Sequence, residues 1–272
     1  MPASRQVGFA EIGGTRLRYS VSGEGRPLLL VMGVGAPLDL WGAFEDGLNA
    51  RGICTVAFDA PGTGQSGLLR TPVRMPGLAR LSMRLLDYLE IPRADVLGVS
   101  FGGALAQEIA RQAPTRVDNL VLAATACGLG GLPGHPRVLL KLTTPRRYYS
   151  RDYWARVAPS LYGGRVRREP ELMRQEAVIH MGRPPSPLGY LGQLYAITGW
   201  SSLPWLHRLS QRTLVLAGDD DPIVPVINGR ILARRIPGAR LEVVRGGGHL
   251  FLLEEAEAMA ELVAEFLRAG RR

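Results

Sequence analysis

Apolar positions along the chain follow two alternating rhythms. Short runs rich in leucine and β-branched residues read as strands near Val7 to Ile12, Thr15 to Val21, Pro27 to Met32, Ile53 to Asp59, Ala94 to Val99, Leu120 to Ala126, Thr213 to Gly218 and Leu241 to Arg245. Between them, helical spacing predicts helices over Leu38 to Ala50, Pro76 to Leu89, Gly103 to Gln112, Ile227 to Ile236 and Glu254 to Leu267. In the second of these Leu78, Leu81, Leu85 and Leu89 recur every three or four residues. Such alternation predicts an α/β fold: a mostly parallel eight-stranded sheet flanked by helices. It breaks between about Gly128 and Gln211, where Gly, Pro, Arg and aromatic residues dominate and no strand pattern appears. The expected organisation is therefore one core built from residues 1–127 and 212–272, with residues 128–211 inserted after the sixth strand as a helical cap. A cap over the carboxyl ends of the strands would cover the place where open α/β sheets bind ligands.

No apolar run approaches the roughly 18 to 20 residues that span a bilayer, and the first residues lead straight into strand-like sequence. The expectation is a cytoplasmic protein without a transmembrane segment. Cys54 and Cys127 lie in or beside apolar runs and are read as core residues. The histidines at 135, 180, 207 and 249 form no close pair and have no cysteine neighbours, so no metal signature is present and no cofactor is expected. The net charge of +9 comes from 33 basic residues, of which only Lys141 is a lysine. Between Pro133 and Ser210 there are 12 basic and 4 acidic residues, so most of the excess lies in the predicted cap. This composition resembles a coding bias toward arginine, and nucleic acid is not expected as a partner.

Candidate chemistry begins at Gly98-Val99-Ser100-Phe101-Gly102, where G-x-S-x-G joins a predicted strand to a predicted helix. Small residues on either side of the serine allow a sharp turn that exposes its hydroxyl above the sheet at a helix N-terminus. A serine hydroxyl needs a base. His249 follows the last strand in the loop Gly246-Gly247-Gly248-His249-Leu250. An acid to orient that imidazole is offered by Asp219-Asp220-Asp221 after the seventh strand, and position alone leaves the choice open. Oxyanion donors are expected from the backbone N–H of Phe101 and, in the loop Met32-Gly33-Val34-Gly35 after the third strand, from that of Val34. The segment Asp59-Ala60-Pro61-Gly62-Thr63-Gly64-Gln65-Ser66 has glycines but no Lys-Ser/Thr ending, so a structural turn is expected rather than a phosphate loop.

These motifs resemble the α/β-hydrolase superfamily, whose common pattern G-x-x-D-x-x-x-P spans Gly218, Asp221 and Pro225 and so implies Asp221 as the acid, with Asp219 in reserve. With the cap included, segments such as Pro145-Arg146-Arg147-Tyr148, Leu161-Tyr162-Gly163-Gly164, Gly199-Trp200-Ser201-Ser202 and Trp205-Leu206-His207 resemble the intracellular medium-chain-length polyhydroxyalkanoate depolymerases of bacteria. That resemblance implies a serine ester hydrolase acting on poly(3-hydroxyalkanoate) or its oligomers at storage granules, with Ser100, Asp221 and His249 as the matching triad. A small-ester carboxylesterase, or a perhydrolase or C–C hydrolase of the same fold, is the alternative. Met32, Gly33, Leu250, Tyr195, Trp200 and Trp205 are expected to line the acyl pocket. The cap's aromatic stripe, near Arg183 and Arg208, would equally serve as its own core or as a surface for docking on the granule.

Overall fold

The computed structural model describes residues 5–169 and 182–269. The part of the predicted cap that carries Glu171, Glu176 and His180 lies outside the described residues. Eight strands form one sheet: β1 (Gln6–Ile12), β2 (Thr15–Ser22), β3 (Arg26–Val31), β4 (Ile53–Phe58), β5 (Ala94–Val99), β6 (Val117–Ala123), β7 (Arg212–Gly218) and β8 (Arg240–Val244). Their order is β1-β2-β4-β3-β5-β6-β7-β8. The pairs β1/β2 and β2/β4 are antiparallel and all the others parallel.

Central strands are apolar on both faces because both faces are covered. Leu29, Val31, Val96, Leu120, Leu122 and Val215 face one cluster, which includes residues of α2 (Met75–Tyr88), α3 (Phe101–Gln112) and α8 (Ile227–Arg235). Leu28, Leu30, Leu97, Val99, Val121 and Leu214 face the other, with α1 (Gly42–Asn49), α9 (Phe251–Glu254) and α10 (Ala256–Ala269). The alternation within each strand distributes successive leucines to opposite sides of the sheet. Cys54 and Cys127 are free thiols, Cys127 buried and Cys54 half-buried. Among the described residues no helix is long and apolar enough to cross a membrane.

Both ends of β6 differ from expectation for identifiable reasons. β6 starts at Val117 rather than Leu120, because Asn119 at its polar beginning is satisfied by Asp95 (2.7 Å) and by Arg212 (3.2 Å). It ends at Ala123, where Ala124 turns to φ 47° while donating its N–H to the Leu216 carbonyl. The helix predicted over Leu38 to Ala50 divides into a 3₁₀ turn (Leu38–Trp41) and α1.

Between β6 and β7 the described chain runs through α4 (Pro136–Lys141), a 3₁₀ turn (Pro145–Tyr148), α5 (Arg151–Tyr162), α6 (Gly164–Arg168) and α7 (Pro187–Ile197). Ser150 and Ser186 cap α5 and α7, each accepting a backbone N–H from three residues on. Trp154, Val157, Leu161, Tyr162 and Val166 make a separate small core that also takes in Ile223. The last stretch behaves differently: Leu206 and Leu209 are buried in the same cluster as α2 and α3. By packing, therefore, residues 206–209 join the sheet's own helices rather than the small core of α5 and α6.

Candidate active site

Ser100 occupies the junction of β5 and α3 with φ 56° and ψ −119°, a conformation that costs a non-glycine residue about 1–3 kcal/mol. Close backbone approach requires glycine on either side of it. A Cβ on Gly98 would lie 2.1 Å from the Gly102 carbonyl oxygen, and one on Gly102 would lie 2.0 Å from that of Val31. The spacing of the motif thus has a steric cause: helix α3 starts directly against β3 and β5. Two hydrogen bonds brace the turn, from Ser100 N to the Ala123 carbonyl (2.9 Å) and from Thr125 Oγ1 to the Ser100 carbonyl (2.7 Å).

His249 and Ser100 line one cavity at the carboxyl ends of β3 and β5. His249 Nδ1 lies 2.7 Å from Asp221 Oδ2, and both side chains are buried. Asp221 can only accept as a carboxylate, so Nδ1 carries the proton and Nε2 is left as the basic nitrogen. The other Asp221 oxygen accepts the N–H groups of Ile223 (2.8 Å) and Val224 (2.9 Å). The carboxylate is therefore held by three donors and has a single orientation available.

The two neighbouring aspartates have other partners. Asp219 Oδ1 accepts the Gly246 N–H at 2.6 Å, closing the loop that carries His249. Asp220 reaches into the insertion, where Oδ2 accepts the Gly164 N–H (2.8 Å) and Oδ1 pairs with Arg167 (2.9 Å). Returning across the same seam, His249 N donates to the Tyr162 carbonyl at 2.6 Å. The imidazole is thus positioned by α5 of the insertion as well as by the core.

Val34 lies on the cavity wall opposite the start of α3. Among the described residues neither the Val34 nor the Phe101 N–H donates to another protein group; Val34 lines the cavity, and Phe101 directly follows Ser100, which also lines it. The loop that carries Val34 is held from the insertion side. Tyr148 Oη donates to the Val34 carbonyl (2.8 Å), and Gly35 N donates to Gln193 Oε1 (2.9 Å), whose amide donates in turn to Thr63 Oγ1 (2.7 Å).

The cavity is mainly apolar, with Met32, Val99, Ile223, Leu250, Leu252 and Leu253 in its walls alongside Gly33. Of the expected pocket residues, Met32, Gly33 and Leu250 are present and the aromatic ones are not. Trp200 and Trp205 pack edge to face with centroids 6.1 Å apart, against the cluster that contains α3. Trp200 Nε1 donates to Glu108 (3.1 Å), and Arg111 stacks over Trp205. Burial pushes the Glu108 carboxyl up, but bonds from Arg111, Gln112 and Trp200 outweigh it and hold the group below its usual pKa. Tyr195 is exposed on the outer face of α7, under Arg74 and beside a separate groove formed with Leu68, Val73 and Leu191. In their place the structure puts Leu142, Arg147, Tyr148 and Tyr162 on the cavity wall. Arg147, Tyr148 and Tyr162 lie in segments that carry the resemblance to the depolymerases, but no periodicity marks them as cavity-lining, and Arg147 enters the sequence reading only as one of the basic residues of the predicted cap.

The turn from Asp59 to Ser66 is structural, as expected. Buried Asp59 accepts from Leu38 N (2.7 Å), Gln65 N (2.9 Å) and Arg18 (3.4 Å). Burial pushes its pKa up, and these donors offset the shift in part. Among the described residues no group of three or more His, Cys, Asp or Glu side chains is placed to hold a metal ion.

A family model described as alpha/beta hydrolase fold matches residues 26–256. A poly(3-hydroxyalkanoate) depolymerase of Ectopseudomonas oleovorans is 48% identical over 246 residues, covering 90% of this chain and 86% of that protein. Among solved structures, a hydrolase from Pseudomonas aeruginosa PA01 has a TM-score of 0.82 at 26% identity, with coverage of 96% of this chain and 98% of the other. An enol-lactonase from Burkholderia xenovorans LB400 has the same score at 24% identity, covering 96% and 100%, and shares the fold.

Proposed function

The chain belongs to the α/β-hydrolase family, and from that premise we propose that it hydrolyses the ester bonds of poly(3-hydroxyalkanoate) or its oligomers through an acyl-enzyme on Ser100. The observation that carries the chemistry is the imidazole of His249, fixed by Asp221 in the cavity that Ser100 lines. The choice of substrate is supported by the 48% identity to a depolymerase over nine-tenths of the chain.

In the first half-reaction Ser100 Oγ attacks the ester carbonyl as His249 Nε2 takes its proton. Asp221 holds the Nδ1–H tautomer and stabilises the imidazolium. The oxyanion is received by the N–H groups of Phe101 and Val34, which are fixed before the substrate arrives and so need no reorganisation as charge develops. His249 then protonates the departing alkoxide oxygen, which leaves as the hydroxyl of the released 3-hydroxyacid unit. Water, deprotonated by the same imidazole, releases the acyl group from Ser100. The apolar walls from Leu250 to Leu253 suit an alkyl side chain of the polymer.

With this function we propose that residues 128–211 act as the cap on a core of residues 1–127 and 212–272, and that the protein works in the cytoplasm at the granule surface. Exposed Leu188, Leu191 and Tyr195 on α7, with Leu68 beside them, give this face an apolar character that suits such contact.

A fluorophosphonate probe is expected to label the wild type and not Ser100→Ala. Equal labelling of both would refute the nucleophile. Turnover of medium-chain 3-hydroxyalkanoate oligomers, short-chain polymer and nitrophenyl esters should then be compared. Activity confined to small soluble esters would replace the depolymerase with a carboxylesterase, and peracid formation or C–C cleavage would assign one of the other chemistries of the fold.

A further inference from the structure

Arg147 lies in the wall of the cavity that contains Ser100 and His249. It is 2% exposed, in the 3₁₀ turn Pro145–Tyr148. Its guanidinium donates to Tyr190 Oη (2.8 Å), Tyr148 Oη (3.4 Å) and the Thr144 carbonyl (3.4 Å), and it stacks over the rings of Tyr148 and Tyr190 at 4.5 and 5.2 Å. All of these partners are neutral. Burial pushes the hydroxyls of Tyr148 and Tyr190 above their usual pKa, so neither supplies a counter-charge.

Among the described residues no carboxylate pairs with Arg147, and its buried Nε has no hydrogen-bond partner. Arg18 is the instructive contrast. It is equally buried and also leaves Nε unpaired, but Asp39 (2.6 Å) and Asp59 (3.4 Å) neutralise it. A guanidinium stays charged under all ordinary conditions, so burying one without an anion opposes folding where a neutral side chain would not. The cost becomes useful where the missing anion arrives with a ligand.

We propose that Arg147 recognises a carboxylate on the substrate, namely the free acid end of a hydroxyalkanoate chain. The identity of the chain rests on the polyester function proposed above, whereas the preference for an anion does not. In such a chain two carbons separate the terminal carboxylate from the last ester oxygen, so one cavity can hold the acid on Arg147 while Ser100 meets the adjacent ester carbonyl. The Ser100 Oγ–acyl bond forms and the ester C–O bond breaks. The serine proton passes through His249 to the departing oxygen. A single 3-hydroxyacid leaves with its carboxylate on Arg147, and the shortened chain stays on Ser100 until water releases it. Arg147 thereby directs cleavage to the acid end.

The test compares 3-hydroxyoctanoate with its neutral primary amide as competitors of nitrophenyl ester hydrolysis, for wild type, Arg147→Lys and Arg147→Met. A charge-assisted hydrogen bond to a carboxylate predicts that the acid competes at about tenfold or more lower concentration than the amide in the wild type. That ratio is expected to fall to about one in Arg147→Met and to be partly kept in Arg147→Lys. Equal competition by acid and amide in the wild type overturns the proposal even if both variants fail to fold, and so does an unchanged ratio in Arg147→Met. Oligomers with a free or amide-capped acid end supply the second arm. Equal turnover of the two overturns chain-end selection by Arg147. Turnover of neither, with acid-selective competition intact, refutes the polyester and leaves the carboxylate site standing.

Discussion

Asp219, Asp220 and Asp221 are chemically identical neighbours, yet each has a different partner: the Gly246 amide, the insertion and His249. The division follows from where the chain turns after β7, since three consecutive carboxylates leaving a strand end point in different directions. Only Asp221 sits against Nδ1. Asp221→Asn is expected to lower kcat by on the order of 10⁴-fold, by favouring the wrong imidazole tautomer. Asp219→Asn keeps an oxygen for Gly246 and should stay within a few-fold of wild type. Steady-state kinetics on a nitrophenyl ester separates the two, and the reverse ranking would make Asp219 the acid. In sequence, Asp221 is implied by the resemblance to the α/β-hydrolases, whose pattern spans Gly218, Asp221 and Pro225. The reason why the reserve candidate Asp219 does not reach His249 is a matter of loop closure, which spacing does not encode.

At the scale of elements, α7 has more influence on the site than its sequence announces. It crosses the Asp59–Ser66 turn so closely that a Cβ on Gly62 would lie 2.4 Å from Gly189 Cα, and a Cβ on Gly189 would lie 2.5 Å from Gly62. That approach lets Gln193 reach the Gly35 amide beside Val34. Gly189→Ala is expected to cost about 1–3 kcal/mol by overpacking, read as a lower denaturant midpoint, and to lower kcat as well because the displaced helix loosens the oxyanion loop. A variant with unchanged midpoint and kcat would show that the contact yields without consequence. The same helix shows why pocket residues are hard to read from an aromatic stripe. Tyr190 and Tyr195 lie on one short helix, but Tyr190 is fully buried against Arg147 while Tyr195 faces outward. Trp200 and Trp205 look suited to a pocket and instead close the core over α3, where Glu108 provides a buried acceptor.

For the molecule as a whole, the seam between sheet and insertion is built from short polar contacts close to the site: Tyr162 with His249, Gly164 and Arg167 with Asp220, Tyr148 with Val34. Leu206 and Leu209 extend the main core into the end of the insertion. Sharing both a core and these bonds, the two parts are expected to unfold together. Calorimetry should show one transition whose van't Hoff and calorimetric enthalpies agree, and a separate low-temperature transition assigned to residues 128–211 would establish an independently stable cap. Cohesion of this kind also means that lesions in the insertion reach the catalytic groups directly.

The sequence by itself determined the strands, the two-sided burial of the sheet, the nucleophile turn and the order of serine, acid and base, together with the resemblance that the 48% identical depolymerase bears out. The period of apolar residues and the glycine spacing are local quantities that act within a few residues of one another, and the order Ser100, Asp221, His249 is read directly along the chain. Only the tertiary structure decided which aspartate meets His249, which aromatics face the cavity, and that Arg147 is a buried cation with no carboxylate partner among the described residues. Each depends on groups far apart in sequence brought within hydrogen-bonding distance, as Arg147 is to Tyr190.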